Sequence, residues 1–328
     1  MSLVVELKHQ IKKAPNPIKI VFAEGWNEDI QKAAEVVLKE TEEKIIPILI
    51  FQHKTEVPKT LPKKIETIII DETDLKKYVD TIFEARKIKG ISPADAVEMS
   101  HQPYLLAAAV VASGDADGEI CGIEYTTQDT IRGALQIVKP APHIKNVCSA
   151  FIMEKDKNRL VMGDCAINLN PDAETLVSII RLIAPFATHV ANIEDPRIAL
   201  LSYSTAGSGK GESAEKVRKA YELISLDEHF VSEYKIFGDM QFDAAIDVKV
   251  QNKKAKSLNW NKPANVFVFP NIDAGNIGYK IAQRLGDYQA IGPVVLGLNK
   301  PVNDLSRGAT MDDVVMLTYI TATQTLHK

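Results

Sequence analysis

Short apolar runs with the composition of buried strands alternate with helical patterns along most of the chain. This alternation constrains the fold more than any other feature. Residues 19–23, 45–51 and 67–70 are such runs, and a helical pattern over about 28–40 separates the first two. Parallel strands need a crossover, usually a helix, whereas adjacent antiparallel strands need only a tight turn. The sequence therefore predicts an α/β protein whose sheets are mainly parallel and flanked by helices.

A stiff polar segment at residues 139–143, which contains two prolines, divides this alternation into two series. Two strand patterns joined by a charged hairpin follow the segment, and further strand and helix patterns come after them. A chain of 328 residues is long enough for two domains of ordinary size. We expect a first domain from residues 1–141 plus 299–328, since the C-terminal segment can return to it, and a second domain from residues 142–298.

Composition and charge exclude several function classes. The net charge is −4, so a general nucleic-acid or anionic-membrane surface is not expected. No apolar run approaches the length of about 18 residues that a bilayer span needs, and the first residues lack the apolar core of a signal peptide. The three cysteines are widely separated and lack a CxxC spacing, which suits a reducing compartment. We therefore expect a cytoplasmic protein with neither a nucleic-acid nor a membrane partner.

The segment 301–313 combines groups that suit a phosphate-containing substrate. Ser306 offers a hydroxyl and Arg307 a fixed cation. Thr310 and Asp313 have the pattern of a capping box that starts the last helix. Arginine and helix N-termini both favour anions, and the carboxylate of Asp313 can take a proton. In the alternative interpretation Asp313 only caps its helix and Ser306 only closes a turn, and the residue pattern leaves both open.

A second candidate anion site is the glycine-rich loop at residues 204–211, which follows a strand and precedes a helix. It is not a Walker loop, because Ser204 stands where the first glycine is needed and Gly211 follows Lys210 in place of Ser or Thr. Its N–H groups and Lys210 nevertheless predict phosphate or oxyanion binding, with a plain turn as the alternative. The residues assigned to this binding are Ser204, Thr205, Gly207, Ser208, Gly209 and Lys210.

Two further arginines are candidates for binding anionic groups. Thr126 and Thr127 start a capped helix with Arg132 one turn inside it, so this helix start predicts another anion site. The alternative there is a capped helix with a surface arginine. Arg86 lies near the end of a helix that begins at about residue 75, and its alternative is a solvated helix end.

Other reactive residues favour structural roles. Cys165 is a candidate acyl-accepting nucleophile, but no histidine is close in sequence to activate it, which favours a buried structural thiol. Asp243 and Asp247 are one helical turn apart and could ligate Mg²⁺, although a solvated face is the simpler interpretation. The seven histidines show no metal-ligand spacing such as HExxH, so no metal site is expected.

Six motifs in order along the chain resemble those of the phosphate acetyltransferase family. They are 130–136 (TIRGALQ), 163–168 (GDCAIN), 200–205 (LLSYST) with 207–211 (GSGKG), 241–245 (QFDAA), 274–280 (AGNIGYK) and 301–308 (PVNDLSRG). The resemblance implies reversible acetyl transfer, in which acetyl-CoA and phosphate give acetyl phosphate and CoA. It implies coenzyme A as a co-substrate and no permanently bound cofactor.

The resemblance also implies an architecture. It indicates two three-layer α/β/α domains with an inter-domain cleft, similar to the fold of the isocitrate and isopropylmalate dehydrogenases. It further implies a homodimer, for which we expect the second domain to supply the interface.

The same resemblance implies roles for individual residues. Ser306, Arg307 and Asp313 match the family's catalytic positions. Arg86 and Arg132 match arginines that serve substrate binding, and Asn276 and Tyr279, within the motif 274–280, are assigned to substrate binding as well. Two departures stand near Thr126: Tyr125 replaces a usual histidine, and Glu124 replaces a usual small residue, with a negative charge that would repel phosphate if it faces the substrate.

The expected mechanism is direct attack of the CoA thiolate on acetyl phosphate in a ternary complex. Asp313 would act as the base, Arg307 would clamp the phosphoryl oxygens, and Ser306 would donate to the developing oxyanion. The alternative route is ping-pong through an acetylated Cys165. The alternative functions are a phosphate butyryltransferase or broader short-chain acyltransferase, an NAD(P)-dependent dehydrogenase of related fold, and a non-catalytic acyl-phosphate binding protein.

Overall fold

The computed structural model describes residues 2–258 and 260–327, and its contacts divide them into two units. The first unit contains the chain up to His143 and the chain from Leu298 onward. The second unit is Ile144–Gly297. Both units mix helices with mainly parallel strands, so the predicted α/β class is confirmed. No helix in the described part of the chain is long and apolar enough to cross a membrane.

The first unit has a five-stranded sheet in the order β11-β4-β1-β2-β3, and every pair in it is parallel. Its elements are α1 (Leu3–Lys12), β1 (Ile18–Phe22), α2 (Glu28–Glu40), β2 (Ile45–Phe51), β3 (Glu66–Ile69), α3 (Lys76–Arg86), α4 (Pro93–Ser100), α5 (Pro103–Ala112), β4 (Gly118–Cys121), α6 (Thr127–Gly133), β11 (Val302–Asp304) and α13 (Met311–Leu326). Short 3₁₀ turns occupy Lys54–Glu56 and Lys87–Lys89, and a π-helical turn, Ala134–Val138, continues α6.

The apolar faces of these helices explain how they pack on the sheet. α5 is apolar all round and most of its residues are buried, as expected of a helix enclosed by its neighbours. Leu3, Leu7 and Ile11 of α1 lie one helical turn apart and are fully buried. α1 packs on α13, which returns from the C-terminal segment, so both termini of the described chain belong to the first unit.

The second unit has a six-stranded sheet in the order β10-β5-β6-β9-β7-β8. The pairs from β6 to β8 are parallel, whereas β5 pairs antiparallel with both β10 and β6. Its elements are β5 (Cys148–Lys155), β6 (Asn158–Gly163), α7 (Ala173–His189), β7 (Arg197–Leu201), α8 (Glu212–Ser225), α9 (Glu228–Glu233), β8 (Lys235–Met240), α10 (Phe242–Ile246), α11 (Val248–Lys254), β9 (Val266–Val268), α12 (Ile272–Arg284) and β10 (Gln289–Leu296).

One helix start in this unit differs from the sequence pattern. Asn170 and Pro171 suggest the beginning of a helix, but α7 begins at Ala173 with Asp172 as its N-cap. The Asp172 carboxylate accepts the Thr175 N–H at 2.8 Å, which satisfies one of the free donors of the first turn. The Asn170 side chain instead accepts a hydrogen bond from Lys216, so it is used outside the helix.

Candidate functional site

Three loops of the first unit begin at the same edge of its sheet. Strands β1, β4 and β11 are neighbours and run in parallel, so their carboxyl ends lie side by side. The β1–α2 loop (residues 23–27), the β4–α6 loop (residues 122–126) and the β11–α13 loop (residues 305–310) start from these ends. This edge is where ligands bind in open parallel α/β sheets, and it carries most of the residues singled out in the first unit.

Glu24 fixes the backbone of the β4–α6 loop by accepting hydrogen bonds from it. Its carboxylate is fully buried and accepts the backbone N–H groups of Gly122, Ile123, Glu124 and Tyr125 at 2.8–3.3 Å. Burial raises the pKa of Glu24, although the four N–H donors act in the opposite direction. Sequence reasoning missed this residue, because the bonds join segments about 100 positions apart.

Glu124, in the β4–α6 loop, accepts hydrogen bonds from the β1–α2 loop, so it also connects these two loops. Its carboxylate accepts hydrogen bonds from Trp26 Nε1 at 2.9 Å and Asn27 Nδ2 at 3.0 Å. The Trp26 ring also meets the Tyr125 ring edge-on, at 6.2 Å between centroids. The negative charge at position 124 is therefore bonded within the unit, and both departures from the family pattern take part in the contact between these loops.

Asp304 links the β4–α6 segment to the third loop. Thr127 Oγ1 donates to Asp304 Oδ2 at 2.6 Å, and the Leu305 N–H donates to the carbonyl of Cys121 at 2.7 Å. Burial raises the pKa of Asp304 to about 6, against the effect of the Thr127 hydroxyl. Asp304 is the last residue of β11, so these bonds fix the point from which the β11–α13 loop departs.

The β11–α13 loop and the start of α13 carry the three residues predicted to be catalytic. Ser306, Arg307 and Asp313 are all exposed. The Ser306 carbonyl accepts the Ala309 N–H at 2.8 Å and closes a turn. Asp313 Oδ2 accepts the Thr310 N–H at 2.9 Å and the Thr310 hydroxyl at 2.8 Å, so the predicted capping box is confirmed. Both bonds end on Oδ2, so the box does not use Oδ1.

The two candidate binding arginines of this unit have different surroundings. Arg132 is exposed on α6, with Nη1 3.4 Å from Asp129 Oδ1. Arg86 is the last residue of α3 and half-buried, and its Nε has no hydrogen-bond partner among the described residues. Thr126 and Thr127 use their hydroxyls locally, since Thr126 exchanges hydrogen bonds with Asp129 and Thr127 bonds to Asp304.

In the second unit the glycine-rich loop after β7 uses most of its own donors. The Thr205 N–H donates to Ser208 Oγ at 3.0 Å and the Gly209 N–H donates to Ser204 Oγ at 2.8 Å. The Gly207 N–H donates to the fully buried carboxylate of Asp239 at 3.1 Å. These N–H groups were expected to be free for an anion, and in this conformation they are not. The exposed Lys210 side chain remains the charged group of the loop.

Asp164 fixes a second loop of this unit, at the end of β6. It is buried and accepts the N–H groups of Ala166, Ile167 and Asn168 at 2.8–3.2 Å, together with the Ser149 hydroxyl. A glycine is required opposite, because a Cβ on Gly275 of α12 would lie 2.4 Å from the Asp164 carbonyl oxygen.

Cys165, in this same loop, has a fully buried side chain. Burial, followed by the charge of Asp164, raises the pKa of its thiol well above the usual range. One predicted binding residue, Asn276, lies beside this loop, since its Nδ2 donates to the Cys165 carbonyl at 3.4 Å. Another, Tyr279, stacks its ring on Phe151 of β5 at 4.0 Å.

Asp243 and Asp247 have local roles in the structure. Asp243 Oδ2 accepts a hydrogen bond from Lys254 at 2.8 Å, and Asp247 caps α11 by accepting the Lys249 N–H. Within residues 2–258 and 260–327, no group of three or more His, Cys, Asp or Glu side chains is placed to hold a metal ion.

Comparison with known proteins gives one consistent result. The sequence profile of the family described as phosphate acetyl/butaryl transferase matches residues 2–322. The phosphate acetyltransferase of Mycoplasma genitalium is 44% identical over 327 residues, covering 99% of this chain and 100% of that protein. A phosphotransacetylase structure from Streptococcus pyogenes covers all of both chains with a TM-score of 0.91 and 38% identity. One from Staphylococcus aureus covers 98% of this chain and 99% of its own, with a TM-score of 0.88 and 38% identity. The family is that of transferase enzymes, and this chain belongs to the phosphate acetyl/butaryl transferase family.

Proposed function

We propose that the protein transfers an acetyl group reversibly between acetyl-CoA and phosphate, so that acetyl phosphate and CoA are the other pair of substrates. The observation that carries the proposal is the full-length match to relatives named phosphate acetyltransferase. The arrangement of Ser306, Arg307 and Asp313 on one loop and the helix start after it supports the proposal.

Arg307 is the proposed phosphate clamp. Its guanidinium is exposed on the β11–α13 loop and presents a planar fork of donors that matches two phosphoryl oxygens. Ser306, immediately before it, would donate its hydroxyl to the acetyl carbonyl oxygen as negative charge develops there. Both residues depart from the end of β11, whose position Asp304 fixes through Thr127.

Asp313 is the proposed general base for the CoA thiol. A free thiol has a pKa of about 8.5, so most of it is protonated near neutral pH. Asp313 Oδ1 lies outside the capping box and is the oxygen we assign to accept this proton. A positioned base of this kind contributes a factor on the order of 10²–10⁴ in rate.

The remaining chemistry is a direct displacement. The thiolate sulfur bonds to the carbonyl carbon of acetyl phosphate, the carbon–oxygen bond to phosphate breaks, and phosphate leaves with the electron pair. A ping-pong route would need an accessible thiolate at Cys165. That thiol is fully buried and burial raises its pKa, so the structure supports direct attack.

Residues outside the reacting centre are proposed to bind the rest of the substrates. Arg132 and Arg86 are assigned to the phosphates of CoA, and Arg132 is the exposed one of the two. In the second unit, Lys210, Asn276 and Tyr279 are assigned to substrate binding. Seven further residues are also assigned to substrate binding, although most of their polar groups are hydrogen-bonded to other residues of their own unit. They are Thr126, Thr127, Ser204, Thr205, Gly207, Ser208 and Gly209.

A homodimer is proposed through α12. Ile277, Ile281 and Leu285 lie one helical turn apart and are 58%, 52% and 82% exposed, so they form an apolar stripe on one face. Asp273 and Arg284 stand near the two ends of this face, and an antiparallel pair of α12 helices would bring them together across a two-fold axis. Light scattering should show a dimer that Ile281→Glu converts to monomers, and a wild-type monomer would refute this interface.

The proposed activity is tested by mixing acetyl phosphate with CoA and following thioester formation by its ultraviolet absorbance. Formation that depends on both substrates and on the enzyme is the expected result, and its absence would refute the proposal. Butyryl phosphate is the informative competitor, because the family description names both acyl groups. A higher kcat/KM for butyryl phosphate than for acetyl phosphate would assign the protein to the second activity.

A further inference from the structure

Glu24 accepts more hydrogen bonds than a residue that only fills space would need. Its side chain is fully buried, and both carboxylate oxygens accept backbone N–H groups from one short stretch of another loop. The distances are 2.8 Å to the Glu124 N–H, 2.9 Å to the Tyr125 N–H and 3.0 Å to the Gly122 N–H. Hydrogen bonds to a charged acceptor are the stronger kind, so this carboxylate determines where the β4–α6 loop runs.

The β4–α6 loop that Glu24 holds is connected to two other parts of the first unit. Toward the C-terminus it enters α6, which carries Arg132. At Thr127 it is bonded to Asp304, the residue from which the loop of Arg307 departs. Arg86 lies at the end of α3, where none of the bonds made by Glu24 reaches.

We propose that Glu24 is a positioning residue for the substrate site of the first unit. It sets the backbone of residues 122–125, and through that backbone it places Arg132 and the Thr127–Asp304 bond. This inference rests on the proposed function, because the affinity for CoA is what Arg132 is assigned to supply. Glu24 itself touches no substrate.

The competing explanation is that Glu24 only stabilises the fold. The two explanations predict different results when a Glu24 variant is combined with an arginine variant. If Glu24 acts by placing Arg132, the effects of Glu24→Gln and Arg132→Ala on the KM for CoA should not add, because both remove the same contact. Glu24→Gln and Arg86→Ala should add, since Arg86 is held by a different helix.

The matched control is Glu119→Gln. Glu119 is a second buried carboxyl group in the same unit, on β4 just before the loop, and neither of its oxygens has a hydrogen-bond partner among the described residues. It makes no bond to residues 122–125, so its neutral variant should leave the loop in place. A change in kinetics shared by both variants would indicate a general effect of replacing a buried carboxyl group.

The experiment combines initial rates with amide hydrogen exchange on the full-length protein. We expect Glu24→Gln to raise the KM for CoA by about tenfold, equivalent to about 1.4 kcal/mol. We also expect faster exchange at residues 122–125, with wild-type behaviour in Glu119→Gln. If Glu24→Gln does not fold, Glu24→Asp tests the same point, because its shorter side chain cannot reach all four N–H groups.

Unchanged KM and unchanged local exchange in a folded Glu24 variant would overturn the proposal. So would a KM effect that adds fully to that of Arg132→Ala. If the proposed function is wrong, the wild-type protein shows no CoA-dependent turnover, and this result is distinct from a failure of the proposal for Glu24. In that case the exchange rates at residues 122–125 still show whether Glu24 holds the loop.

Discussion

Glu119 gives a prediction whose size and pH dependence follow from its burial. It is 1% exposed on β4, between Val21 of β1 and Val302 of β11 in the sheet register. Neither carboxyl oxygen has a hydrogen-bond partner among the described residues. Burial, and secondarily the charge of Glu24, raises the pKa of Glu119 well above its usual value. The substitution Glu119→Met keeps the length of the side chain and removes the buried polar group.

We expect this variant to be more stable than the wild type by about 1–3 kcal/mol at acidic pH, the usual penalty for a buried polar group without a partner. The difference should grow as the pH rises. An unfolded glutamate loses its proton near its ordinary pKa of about 4.3, whereas folded Glu119 keeps its proton to a higher pH. Between the unfolded and the folded pKa of Glu119, the folded state binds more protons than the unfolded state. The free energy of unfolding of the wild type therefore falls by up to about 1.4 kcal/mol per pH unit.

Urea unfolding of both proteins at several pH values from about 5 to about 8 measures this difference directly. The exposed Glu35 of α2 supplies the control, since Glu35→Met removes a carboxyl group at the surface, and its stability difference is the reference against which that of Glu119→Met is compared. A pH-independent difference for Glu119→Met would refute the reasoning, because it would mean that Glu119 titrates alike in the folded and unfolded states.

Three further substitutions test the proposed chemistry. Arg307→Lys keeps the charge but loses the planar fork, so initial rates should show kcat/KM for acetyl phosphate reduced by about tenfold or more, and an unchanged value would contradict the clamp. Asp313→Asn should lower kcat by a factor on the order of 10²–10⁴ with the circular dichroism spectrum retained, whereas a normal kcat would leave Asp313 as a helix cap only. Cys165→Ala should keep most of the turnover, and mass-spectrometric detection of acetylated Cys165 during wild-type turnover would instead support the ping-pong route.

Elements with strong local signals were predictable from the sequence. The helix over residues 28–40 and the strand over residues 45–51 have the predicted bounds, because each combines an unbroken pattern with clear turn residues. The capping box at Thr310 was also predictable, since the hydroxyl and the acid lie three positions apart in one turn. In these cases the interactions that determine the structure are local.

Features that depend on distant partners were not predictable. Strand β11, Val302–Asp304, is only three residues long and follows no alternating pattern, and it exists because β4 is beside it. The short helix α1 is stabilised by packing on α13, from the other end of the chain. The role of Glu24 depends on the same kind of contact, because the loop that it holds lies about 100 positions away. The sequence therefore suggests individual residues for a candidate site, but it does not show which buried residues support their loops.

Buried carboxylates at strand ends support the loops of both units. Glu24, Asp164 and Asp239 each lie near the carboxyl end of a strand and accept N–H groups from a loop that starts at that edge. A carboxylate beneath a loop holds its backbone and leaves the outward side chains free. Arg307 and Lys210, which are assigned to substrates, are exposed, whereas Asp304 and Asp239, which fix their loops, are buried and acidic. An apolar side chain in the same place could fill the space but could not satisfy the loop N–H groups, and their desolvation would favour a different loop conformation.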